Sequence, residues 1–283
     1  MITISSADIN IWIAGLLWPL TRILALITAA PVFGNRSVPA RIKVALGVSI
    51  AVIVAPAVPA WPAVDPMSYA GLLILAQEML IGLAMGFSIR IIFAAVEMAG
   101  EISSLTMGFG FATFFDPNTQ GRSSAISQFL SLVATMAFLA VNGHLVLLSA
   151  LVESFSSLPV SSIPVYGGGF KQMADWGGTI FSVGLQLSMP IVAALLITNV
   201  ALGVLTRAAP QLNLFGIGFP ITLGAGLLVV AVTLPYLNMP IQNLFLDGIE
   251  RARLMPRTWS QRPEAARPAG APLRPPALQR MAE

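Results

Sequence analysis

The 283-residue sequence contains no cysteine and a single histidine. Disulfides, thiolate nucleophiles and cysteine-ligated metals or clusters are thereby excluded. His144, with no Asp, Glu or Cys near it in sequence, makes a poor metal site and reads instead as a capping or kink residue beside Asn142 and Gly143. The chain has no GxSxG, HExxH, Walker loop or Rossmann fingerprint, so neither an enzyme nor a cofactor is expected. "GGGF" at 167–170 lacks the Lys and helix of a phosphate loop and is expected to be a flexible turn. Charge is scarce too: Asp, Glu, Lys and Arg make up 10% of the residues, against roughly 25% in an average soluble domain.

Apolar residues take that place, at 56% of the chain with a mean hydropathy of +0.83. The expected fold class is all-α, a multi-helix integral membrane protein. Six apolar segments, at about 9–33, 41–58, 68–98, 125–153, 178–206 and 214–237, approach the ~20 helical residues that a hydrocarbon core of roughly 30 Å requires. The first segment lacks a preceding Lys or Arg and reads as a retained helix rather than a signal peptide. Pro19, Pro190, Pro220 and Pro235 lie in or at the ends of these segments, where each removes a backbone donor and bends the helix. Gly82 and Gly86 form a GxxxG pair, and Gly218, Gly224 and Gly226 recur further on, as expected where helices meet closely.

The net charge of +3 and sequence pI near 9.8 do not point to nucleic acid, because the cations concentrate toward the C-terminus; a basic tail flanking a membrane accounts for them. Residues 256–283, rich in Pro, Ala, Gly and Arg, are expected to be disordered. Just before them, Ile241, Leu244, Phe245, Ile249 and Leu254 oppose Asp247, Glu250, Arg251 and Arg253, the pattern of a short amphipathic helix lying on the membrane or against a partner. With six spans both termini share one side, where Lys171, Arg251, Arg253 and Arg257 are nearly balanced by Arg36, Arg41, Lys43, Arg122 and Arg207 opposite. A tie of this kind suggests a topology that hydropathy alone misdescribes.

Glu78 is the clearest ionisable residue deep in an apolar run. It reads either as a lumen-facing or proton-handling carboxylate or as a polar contact between helices or subunits. Glu97 and Glu101 stand four apart on one helix face and repel unless Arg90 or a partner's cation compensates. Arg36, Arg41 and Lys43 in the turn-rich "PVFGNRSVPARIK" can meet lipid phosphates or acidic partner residues, or serve as ordinary membrane-flanking cations.

Four stretches in order, "PVFGNRSVPARIKVALGVSIA" at 31–51, "MGFGFATFFDP" at 107–117, "FLAVNGHLVLL" at 138–148 and "RAAPQLNLFGIGFPITLGAGLLV" at 207–229, resemble the FliR family of type III secretion export-gate subunits over about residues 1–255. "QLNLFGIGFP" resembles the flagellar rather than the injectisome branch. The resemblance implies a bacterial inner-membrane subunit at the flagellar basal body, its C-terminal tail cytoplasmic. It would assemble with FliP and FliQ into a helical hetero-oligomer around a channel for unfolded flagellar proteins, with FlhB and FlhA as further partners. It also implies kinked helical hairpins, with a FliP-like part over about 1–177 followed by a FliQ-like hairpin over about 178–255.

The resemblance places Met107, Gly108, Phe109, Gly110, Phe111, Ala112, Thr113, Phe114, Phe115, Asp116 and Pro117 in the lumen as a plug. The residue types suit it: the glycines permit unusual backbone conformations, the phenylalanines can fill a narrow lumen and exclude water, and Asp116-Pro117 reads as the closing turn. Without the resemblance, an interfacial loop dipping its phenylalanines into lipid headgroups is the competing reading. For the whole chain the alternatives are a stand-alone transporter or channel using Glu78 and an intramembrane enzyme; the latter lacks converging nucleophile, base or ligands.

Overall fold

A computed structural model describes residues 6–57, 62, 64–109, 123–161, 168–209 and 218–260. These residues form seven α-helices and no strand: α1 (Ser6–Ala29), α2 (Ala40–Val54), α3 (Tyr69–Thr106), α4 (Ala125–Ala140), α5 (Gly143–Ser157), α6 (Gly168–Ala208) and α7 (Phe219–Ser260). A 3₁₀ turn, Ala55–Ala57, follows α2. The all-helical expectation holds among the described residues, and the described part of each of the six apolar segments lies largely on helix.

The span count differs from six. Among the described residues, α3, α6 and α7 are long and apolar enough to cross a membrane, and α4 with α5 makes a fourth if the bent pair is one span. At 15 residues, α2 reaches only about 22 Å, short of a hydrocarbon core. The segment expected as one helix over 125–153 breaks at Asn142, which adopts φ 53° and ψ 28°, and the two halves meet at 64°. Asparagine is one of the few non-glycine residues that visit the left-handed region readily.

Helix α3 is the hub, packing against α1, α4, α6 and α7. It starts where Ser68 Oγ accepts the Gly71 N–H at 3.1 Å, a side-chain cap for an otherwise orphan donor. It stops at Gly108, whose φ of 93° is the left-handed conformation that commonly ends helices. Its most apolar stretch is 67% buried within the chain, against 28% for α6 and 17% for α7. The hairpin of α6 and α7 therefore turns most of its apolar surface outward, to lipid or to neighbouring subunits.

Aromatic packing ties the hub to its neighbours. Phe93 of α3, Phe138 of α4 and Phe245 of α7 form a triangle with ring centroids 5.1–6.1 Å apart, contacts worth about 0.5–1.5 kcal/mol each beyond their buried area. Trp176 of α6 donates its indole N–H to the Ser88 carbonyl at 3.1 Å, and Arg251 of α7 lies 4.0 Å over its ring. Arg253 and Arg257 reach Glu153 of α5 at 2.8 and 2.6 Å; all three side chains are over a third exposed, so these pairs are weak.

Three local expectations change. The amphipathic segment at 241–254 is no separate surface helix but the continuation of α7, with Ile241, Phe245 and Ile249 buried against the chain itself. Its helix runs to Ser260 through Pro235, Pro240 and Pro256, overlapping the start of the stretch expected to be disordered; 261–283 lies outside the described residues. Likewise Gly168, Gly169 and Phe170 open α6 rather than forming a turn, and Gly169 lies against the Trp259 indole too closely for any side chain.

The GxxxG pair of α3 is where α1 crosses. A Cβ at Gly82 would run into the Arg22 carbonyl and lie 2.8 Å from Ala25 Cβ, and one at Gly86 would lie 2.6 Å from Ala29 Cβ. Gly224 meets nothing within 4 Å. Replacing Gly82 by Val should cost about 1–3 kcal/mol through overpacking, read as a lowered unfolding midpoint of the detergent-purified protein. Gly224→Ala should leave it unchanged or raised, and equal midpoints for the two variants would refute the close crossing.

Candidate functional site

At the crossing of α1 and α3 lies a buried ion pair. Arg22 Nε and Nη2 donate to the two carboxylate oxygens of Glu78 at 2.7 and 2.8 Å, a bidentate fork. Arg22 Nη1 donates to Ser154 Oγ at 3.0 Å and Nη2 to the Leu158 carbonyl at 3.0 Å, while its Cζ stands 4.3 Å over the Phe155 ring. Arg22 is 0% and Glu78 2% exposed. One guanidinium thus joins α1, α3 and the end of α5, and both Glu78 oxygens are occupied.

Glu78 stands out in the sequence as a costly carboxylate, whereas its partner Arg22 was not among the expected site residues. The signal was available: Arg22 is the only Lys or Arg of the first apolar segment, as Glu78 is the only Asp or Glu between Asp65 and Glu97. Two lone opposite charges in separate apolar helices are each costly unless they meet.

The C-terminal third of α3 carries the remaining expected carboxylates. Glu101 Oε1 accepts the Ser124 N–H at 2.8 Å, ahead of α4, and Ser131 Oγ donates to Glu97 Oε1 at 3.2 Å. Ser127 Oγ donates to the Glu97 carbonyl at 2.9 Å. One hydroxyl of α4 and the amide just before it thus meet the two carboxylates, and among the described residues Arg90 forms no ion pair with either. His144 sits just past the α4–α5 corner with its Nδ1 buried and without a partner among the described residues. Of the cations expected in a basic loop only Arg36 lies in one, since Arg41 and Lys43 fall in the first turn of α2; Lys43 Nζ donates to the Gly34 carbonyl at 2.9 Å, while Arg36 and Arg41 are exposed.

Only the root of the expected plug is described. Met107 is fully buried; its side chain faces Gly226 of α7, where an added Cβ would lie 2.5 Å from Met107 Cγ. Its carbonyl accepts from Thr222 Oγ1 of α7 at 3.3 Å. Gly108 makes the left-handed exit and Phe109 packs half-buried against the core. Gly110, Phe111, Ala112, Thr113, Phe114, Phe115, Asp116 and Pro117 lie outside the described residues.

The ion pair generates a stability prediction. Removing one partner of a buried pair leaves an uncompensated charge and costs about 3–5 kcal/mol, whereas an apolar replacement of both is often neutral. Glu78→Gln should be the more damaging single change, because guanidinium has no neutral form within reach. The double variant Arg22→Met with Glu78→Leu should recover most of the folded yield by size-exclusion chromatography. Single variants as stable as the original chain would refute a structural pair.

The profile of the family described as "Bacterial export proteins, family 1" matches residues 13–248. The flagellar biosynthetic protein FliR of Pectobacterium carotovorum subsp. carotovorum is 43% identical over 247 residues, covering 87% of this chain and 94% of the relative. The protein of the same name from Escherichia coli K12 is 40% identical over the same shares. That from Bacillus subtilis 168 is 32% identical over 235 residues, 82% of this chain and 90% of the relative. With a family match along most of the chain and relatives of nearly its full length, this membrane-embedded helical chain belongs to the FliR family of flagellar export proteins.

Proposed function

We propose that this chain is a structural and gating subunit of the flagellar type III export apparatus. In this reading it forms with FliP and FliQ the channel through which unfolded flagellar proteins cross the bacterial inner membrane, with FlhB and FlhA as further partners. The C-terminal tail faces the cytoplasm. The part over about 1–177 corresponds to FliP, and the hairpin over about 178–255 to FliQ. The outward-facing apolar surfaces of α6 and α7 suit a hairpin that completes its packing against other subunits of a hetero-oligomer. No step of this role calls for catalysis or a cofactor.

The observation that carries the gating part is the anchoring of the glycine-phenylalanine run. Met107 is clamped between α3 and α7, and the chain leaves the clamp through a left-handed glycine. A loop held this firmly at its root can return to one closed position after displacement, as a hydrophobic plug requires. The stand-alone transporter reading is weaker, because Glu78, its coupling carboxylate, has both oxygens held by Arg22. The same pairing supports the structural of the two roles open to Glu78.

Deleting Gly110 through Phe114 should leave the complex assembled while cells leak ions or small solutes across the inner membrane. Assembly is checked by co-purification of the FliP and FliQ subunits, and leak by loss of membrane potential or by swelling in a permeant osmolyte. A correctly assembled complex with no added leak would overturn the gating assignment. Purification of this chain without FliP-like and FliQ-like partners would overturn the channel reading.

A further inference from the structure

Arg90 is the single cation of α3. Among the described residues it makes no hydrogen bond or ion pair, although the helix around it is mostly apolar. From Tyr69 to Ile89, α3 has 21 residues whose only charge, Glu78, is neutralised by Arg22. At 1.5 Å per residue that stretch is about 31 Å long, one hydrocarbon thickness. Tyr69 at its start is 79% exposed, the residue type enriched at a membrane interface. Arg90 then falls at the opposite interface.

The surroundings fit a headgroup. Arg90 and Glu97, two turns apart on one face, line a 300 Å³ cavity closed by Asn35 of the α1–α2 loop and by Ser131 and Thr135 of α4. Glu97 has one long hydrogen bond, from Ser131 at 3.2 Å, and is exposed, so it keeps acceptor capacity. Toward the membrane the same face of α3 continues as Phe87, Leu83 and Met79, all exposed. A cationic donor, an anionic acceptor beyond it and an apolar strip behind it stand in the order of a phospholipid's phosphate, ammonium and acyl chain.

We propose that this cavity binds one phospholipid whose headgroup carries a primary ammonium. The phosphate is held by Arg90, the ammonium by Glu97, and an acyl chain lies along Phe87, Leu83 and Met79. The site rests on the membrane-embedded character of the family and is independent of the channel role. It also differs from Arg36, Arg41 and Lys43 around the start of α2, which offer only positive charge.

The test is native mass spectrometry of the delipidated full-length chain, titrated separately with dioleoyl phosphatidylethanolamine, phosphatidylglycerol and phosphatidylcholine. A single adduct is expected, about tenfold tighter for phosphatidylethanolamine than for the other two, the size of one charge-assisted hydrogen bond. Arg90→Gln should weaken all three lipids about tenfold. Glu97→Gln, which keeps an oxygen to accept from Ser131, should erase the preference while retaining phosphatidylglycerol binding. Absence of an adduct, equal binding by both variants, or a crosslinker at position 90 capturing a protein subunit in place of lipid would each overturn the site.

Discussion

The fold depends on one requirement, that a guanidinium and a carboxylate placed inside apolar helices find each other. Neither Arg22 nor Glu78 has water to turn to, so helices α1 and α3 must cross where these side chains meet. The glycines at 82 and 86 let the backbones come close enough there, and Ser154 and the Leu158 carbonyl take two of the three remaining guanidinium donors from the far end of α5. A pair of this kind contributes less to net stability than to uniqueness, since many apolar packings of α1 on α3 would be near in energy and only one satisfies the charges. From that fixed crossing α3 extends as the scaffold for α4, α6 and α7.

Much of the architecture was legible because helices in apolar surroundings satisfy their own backbone, which makes long hydrophobic runs reliable signs. The runs at 68–98 and 178–206 lie inside α3 and α6. The break within 125–153 was not legible from hydropathy, since "VNGH" is too short to interrupt an apolar average, although Asn followed by Gly is turn chemistry. The single continuous α7 was hidden for the opposite reason. Pro235 and Pro240 suggest a boundary, but each removes only one donor, and the packing of Ile241, Phe245 and Ile249 outweighs that loss.

The site was legible in part. Residue type alone marked Glu78 as costly, but pairing is a long-range fact, and 56 positions separate it from Arg22. Glu97 and Glu101 stand on one face as their spacing required, yet the Ser131 hydroxyl and the Ser124 amide answer them rather than a cation. Gly108 takes the left-handed conformation that a glycine at a helix end permits. That Met107 would be gripped by α7, more than a hundred residues away, has no signature in the sequence beyond the small residues around Gly226.

The grip on Met107 and the stack on Gly169 are made by the same helix. Gly226 and Trp259 are 33 positions apart on α7, about 50 Å along one axis. Mechanically this is a strut: its one end braces the turn at Met107 and Gly108 where α3 ends, and its other end pins the start of α6. Between these points the hydrogen-bond ladder lacks a rung at Pro235, Pro240 and Pro256, the places where bending costs least. Compliance between the two contacts thus concentrates at residues that hydropathy counts merely as interruptions.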